Sequence, residues 1–202
     1  MPRWEPDARE RMVVSALQLF SEQGYDNTTV TQIADRAGLT KSTFFRHFPD
    51  KRDVLSAGQE TLSRLLSDGI ASAPDDATPL DAVAAGLDRA AQAMTPLNRE
   101  LGSQLRTVIA ASSELQERDA LKQVGLAAAM TDALRARGCS DAVAALAAEL
   151  GGLAFKEGFA AWSEAPTAAP GSGSDDAGST QELGPLIREA LDRLRSAVDQ
   201  LR

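Results

Sequence analysis

Thr40, Lys41, Ser42, Thr43, Arg46 and His47 fall within one short stretch, LTKSTFFRHFPDK. Together they offer hydroxyls, an ammonium, a guanidinium and an imidazole. Hydroxyls and cations of this kind donate to phosphate oxygens, and a guanidinium fork matches O6 and N7 of guanine. The same residues make a poor catalytic set. His47 is the only histidine and Cys139 the only cysteine, and Cys139 has no second histidine to activate it as a nucleophile. No glycine-rich phosphate loop and no His/Cys metal cluster is present in the sequence. The chemistry on offer is recognition of a polyanion, with no enzyme activity, no cofactor and no metal expected.

Such groups need a rigid support, and the flanking residues supply one. Thr40 reads as the N-cap of a helix over 41–48, and Pro49 breaks it. Phe44 and Phe48, four residues apart, share a face and are expected in a core with Phe20, Ile33 and Leu39. Ser42, Thr43 and Arg46 fall on the opposite side, where they can reach base edges. Thr40, Lys41 and His47 flank them. Upstream, Thr29 and Gln32 form a capping box that starts a second short helix, which Gly38 ends. A first helix spans 7–23 and stops at Gly24. Two short helices joined by a Gly-containing turn form a helix-turn-helix, whose second helix enters the major groove. Thr29 and Lys51 stand at two further helix N-termini, where free N–H groups suit phosphate. Lys51 is also a cation opposed to its helix dipole, so a partner is expected for it.

Composition agrees with a helical protein. Alanine and leucine dominate and β-branched residues are scarce,. Beyond 51, helices are expected to about Gly69, then over 80–94, 97–112, 115–137, 140–163 and 182–201. That makes an all-α chain of about nine helices. Residues 165–181, APTAAPGSGSDDAGSTQ, read as a flexible insert. The net charge is -8. Residues 1–60 carry eight Lys and Arg against nine Asp and Glu, and the remaining 142 carry thirteen against twenty. The acidic excess therefore lies outside the N-terminal third, which leaves the local field there free to attract DNA. The charged N-terminus argues against a signal peptide, and no apolar run approaches the roughly 20 residues of a membrane span. A cytoplasmic protein with no membrane partner is expected.

From Arg9 to Leu55 the chain strongly resembles the TetR family of bacterial transcriptional regulators. The residues that carry the likeness are AlqLFseqGYdnTTvtqIAdrAGLTkstFFrHFpdKrdvL. Among them are Gly24, the paired Thr28 and Thr29, Ile33-Ala34, Ala37-Gly38-Leu39 and the Phe45-x-His47-Phe48-x-x-Lys51 run. The resemblance implies a homodimeric repressor that binds a palindromic operator and is released by a small molecule. It implies groove-facing roles for Ser42, Thr43 and Arg46, and phosphate roles for Thr29, Thr40, Lys41, His47 and Lys51. Phe45 stands where the family usually has tyrosine. It keeps an apolar groove contact but lacks the hydroxyl. Ser42 stands where glycine is frequent.

The resemblance divides the chain into a DNA-binding part, 1–54, and an effector-binding and dimerisation part, 55–202. In the latter, Leu146, Leu150 and Leu153 on one helix and Leu183, Ile187, Leu191, Leu194 and Val198 on the last helix are expected at the dimer interface. The same apolar faces would equally serve an intramolecular core. Met94, Leu97, Leu101, Leu105, Val108, Leu126, Met130, Phe155, Phe159 and Trp162 are candidates for lining a pocket, or for simply filling the core. They would suit a hydrophobic effector. The alternative is a helical DNA-binding or adaptor protein with no small-molecule effector.

Overall fold

Caps and glycines set the first elements. In the computed structural model, residues 8–165 and 182–201 are described. Helix α1 spans Ala8–Gln23, α2 Val30–Arg36 and α3 Lys41–His47. Thr29 caps α2, its side chain accepting from the Gln32 N–H while the Gln32 side chain accepts from the Thr29 N–H. Thr40 caps α3 by accepting from the Thr43 N–H. Gly38 joins the two at φ +68°, a left-handed conformation that a side chain would strain.

The helix expected from Lys51 to about Gly69 is two elements. A 3-10 helix covers Lys51–Ser56, and α4 covers Gln59–Ala71. The break falls at Ala57, at φ -55° and ψ 130°, and Gly58, at φ +78°. A left-handed residue there ends one element before the next begins. The remaining helices are α5 Pro79–Gln92, α6 Pro96–Ala110, α7 Ser113–Ala136, α8 Asp141–Glu164 and α9 Leu183–Asp199. The described residues contain no strand, and the all-α expectation holds. None of their helices is long and apolar enough to cross a membrane. Apart from Ala165, the expected flexible insert lies outside the described residues.

The described residues form two compact units. The first holds those up to Glu60 together with Ser103–Val124, so it takes in the head and parts of α6 and α7. Its core includes Met12, Ala16, Phe20, Ile33, Phe44, Phe48 and Val54, all buried. Phe44 packs on Phe48 with centroids 5.5 Å apart, and Phe20 meets Tyr25 edge-on at 5.2 Å. The Phe20, Ile33, Phe44 and Phe48 core expected from spacing is therefore present, with Leu39 only half-buried.

The second unit holds Thr61–Gly102 and the described residues from Gly125 onward. Its core joins Leu66, Ile70, Val83, Leu87, Met130, Leu134, Ala148 and Ile187. Close helix approach depends on small residues. A Cβ on Gly158 of α8 would lie 2.8 Å from the Ile187 backbone of α9. Arg188 also clasps α9 to α5, donating to both carboxylate oxygens of Asp88 at 2.8 and 2.9 Å. These contacts correct part of the interface expectation. Leu150, Leu183, Ile187 and Leu191 are buried in the chain's own core, because α9 turns its apolar stripe onto α5 and α8. Leu194 and Val198 pack half-buried at the edge of the same core. By contrast, Leu146 and Leu153 are 54% and 47% exposed.

Candidate nucleic-acid interface

Helix α3 has two different sides. Phe44 is fully buried in the head, and Phe48, at its C-cap, is buried too. Lys41, Ser42, Phe45 and Arg46 are exposed, while Thr43 and His47 are half-buried. Two large anchors hold a seven-residue helix that could not stand alone in water. Arg46 makes no ion pair or hydrogen bond among the described residues, so its fork is free. The neighbouring head cations differ: Arg36 pairs with Glu22 at 2.7 Å, and Arg52 lies near Asp50 and Glu114.

Phe45 is the one large apolar side chain exposed among the described residues of the head, at 49%. Its ring meets Phe44 edge-on, with centroids 5.7 Å apart at 88°. The Lys41 ammonium lies 5.9 Å from the same ring. A ring braced by a buried neighbour and flanked by a cation presents an apolar edge beside a phosphate-seeking group. Thr29 and Thr40, both exposed, sit at the N-termini of α2 and α3. Their hydroxyls already serve as caps, accepting from the Gln32 and Thr43 N–H groups.

Lys51 has partners that the sequence did not reveal. Its ammonium donates to the carbonyls of Tyr25 at 2.8 Å and Thr28 at 3.0 Å. It also lies 4.0 Å from the centroid of the Tyr25 ring. The cation opposed to its own helix dipole thus braces the α1–α2 link from within the chain. Lys51→Met should lower the thermal midpoint of the protein. It should leave the dependence of DNA affinity on salt unchanged, as read by fluorescence anisotropy across a salt series. A phosphate contact would instead reduce the salt slope by about one.

Tyr25, the chain's only tyrosine, is buried in this link. Burial, and then the carboxylate of Glu114, hold its phenol above the ordinary tyrosine range, so it remains a neutral donor. The set expected to line a pocket is divided between the units. Leu105 and Val108 fall in the first, and Met94, Leu97, Leu101, Leu126, Met130, Phe155, Phe159 and Trp162 in the second. Phe155 stacks on Phe159 with centroids 5.9 Å apart, and Phe159 meets Trp162 at 5.7 Å. A cavity of about 230 Å³ lies in the first unit, lined by Arg52, Asp53, Glu114, Glu117, Arg118 and Leu121. None of these belongs to the expected apolar set.

Comparison with known proteins agrees with this geometry. Residues 13–57 match the family model "Bacterial regulatory proteins, tetR family". Over 75 residues the chain is 35% identical to the HTH-type transcriptional regulator TcmR of Streptomyces glaucescens, covering 37% of this chain and 33% of that protein. Over 51 residues it is 37% identical to the HTH-type transcriptional repressor BepR of Brucella suis, covering 25% of this chain and 24% of that protein. The aligned region thus spans a third or less of these curated relatives, both of them transcriptional regulators. A putative TetR-family transcriptional regulator from Syntrophomonas wolfei has a similar fold along 95% of this chain and 94% of its own, with a TM-score of 0.59 and 17% identity.

Proposed function

Because the N-terminal head belongs to the TetR family of bacterial regulatory proteins, we propose that the chain is a cytoplasmic transcriptional repressor that binds a palindromic operator as a homodimer. One observation carries this reading. The exposed side of α3 offers Ser42, Phe45 and an unpaired Arg46, while buried Phe44 and Phe48 fix the helix from behind. Arg46 reads guanine through two N–H groups. Ser42, Thr43 and Phe45 line the groove contact, and Phe45 replaces a polar contact with an apolar one. Thr29, Thr40, Lys41 and His47 meet phosphate, positioned by the N-termini of α2 and α3 and by the flank of α3.

One head makes few base contacts, so a second copy is required, with the recognition helices about 34 Å apart. The exposed side of α8 supports that pairing. Leu146 and Leu153 lie seven residues apart, with exposed Ala142, Ala145 and Glu149 on the same side, and small residues there allow close approach. The double variant Leu146→Glu with Leu153→Glu should sediment as a monomer with unchanged helical content. An unchanged dimer would place the interface elsewhere.

In this proposal residues 1–54 bind DNA and 55–202 bind a small apolar effector and dimerise. The half-buried Met94, Phe155 and Phe159 supply adaptable surface for such a ligand. The test of the function is retardation of the duplex upstream of the protein's own gene. Binding that survives excess random duplex supports the reading, and binding no tighter than to random duplex overturns it.

A further inference from the structure

The helix-turn-helix has two ends, and both are tied to α7. The α1–α2 link leads into α2, and the 3-10 helix follows α3. Lys51 joins these two flanks to each other through the Tyr25 and Thr28 carbonyls. Within the same unit, three residues of α7 then grip them in order. Glu114 accepts a hydrogen bond from the Tyr25 hydroxyl at 2.9 Å and lies 3.6 Å from Arg52. Arg118 pairs with Asp53 at 3.0 Å, with side chains 27% and 19% exposed. Lys122 donates to the Leu55 carbonyl at 3.1 Å.

The spacing of four residues, repeated, places all three on one side of α7. They meet successive points of the head: the Tyr25–Arg52 corner, then Asp53, then Leu55. Exposed ion pairs contribute little by themselves. These contacts differ in kind, because the Tyr25 phenol is buried and the Lys122 ammonium is withdrawn from water, which lowers its pKa. A polar group so placed and left without its partner is destabilising.

We infer that Glu114, Arg118 and Lys122 are positioning residues for DNA binding, holding both ends of the helix-turn-helix so that α3 keeps one orientation on α7. This rests on the DNA-binding reading above and extends it to residues far in sequence from the recognition helix. Its physical content is preorganisation. A dimer that must place two recognition helices one turn apart loses affinity if each head has freedom to give up on binding. The three residues need touch neither base nor phosphate.

The test uses the full chain and a duplex enriched by that chain from a random library. Anisotropy is measured well below each variant's melting midpoint. Arg118→Asp and Asp53→Arg should each weaken binding about tenfold, and the reciprocal double variant should return to within about threefold of the original, as directly coupled residues do. Tyr25→Phe, which removes one oxygen and keeps the ring, should weaken binding about fivefold while preserving the preferred sequence. Single variants that melt earlier but bind with unchanged affinity would make these contacts purely structural and overturn the inference. So would a double variant no better than the singles. If the unaltered chain enriches no duplex at all, the proposed function itself fails, and this inference with it.

Discussion

Arg46→Ala should weaken binding to the specific operator by about 1–3 kcal/mol, roughly 5- to 150-fold, while binding to random duplex stays within a factor of two or so. The size follows from the position of the side chain. Arg46 is exposed on the side of α3 away from buried Phe44 and Phe48, and no carboxylate in the described residues occupies its guanidinium. Its loss therefore leaves the head folded and deletes one base reading. Anisotropy on both duplexes, with circular dichroism to confirm helix content, checks it. Equal losses on both duplexes would move Arg46 from base to phosphate.

The second large effect concerns stability. Helices α4 and α5 touch at backbone level through Gly69 and Gly86. A Cβ on Gly69 would lie 2.5 Å from the Gly86 Cα and 2.8 Å from the Ala85 carbonyl oxygen. A Cβ on Gly86 would lie 2.7 Å from the Leu66 carbonyl oxygen. Backbone atoms cannot rotate aside as a side chain does, so the helices must separate and the neighbouring Leu66, Ile70 and Val83 must repack. Gly69→Ala should therefore destabilise the chain by about 3 kcal/mol, at the upper end for overpacking. For a chain of this size that is a fall of about 6–12 °C in Tm, readable by calorimetry. A shift below about 2 °C would mean that the two helices do not meet at these glycines.

Where a structural decision was local, the sequence showed it. The Thr29–Gln32 capping box, the Thr40 cap and the turn at Gly38 depend on residues within a few positions of one another, and the structure contains each of them. The buried pair Phe44 and Phe48 followed from helical spacing alone. Decisions that depend on a distant partner were not visible. An apolar stripe on α9 is the same stripe whether it meets α8 of its own chain or a second copy, and here Leu183, Ile187 and Leu191 meet their own core. The oddly placed cation at Lys51 was legible as an anomaly, but its carbonyl partners were not. Tyr25 and Glu114 are 89 residues apart, and no spacing rule connects them. The break at Gly58 does carry a local signal, since a glycine inside an expected helix marks an end as readily as a tolerated interior position,.

The central claim is that two copies of this chain read one palindrome with α3. The most direct measurement is selection of duplexes from a random library by the intact protein, followed by the binding stoichiometry on the enriched sequence. The account predicts an enriched site with two half-sites related by a dyad, their centres about one helical turn or a small multiple of it apart, bound by two chains or a multiple of two. Recovery of sequences no different from the starting library, at any salt concentration that permits binding, would contradict it.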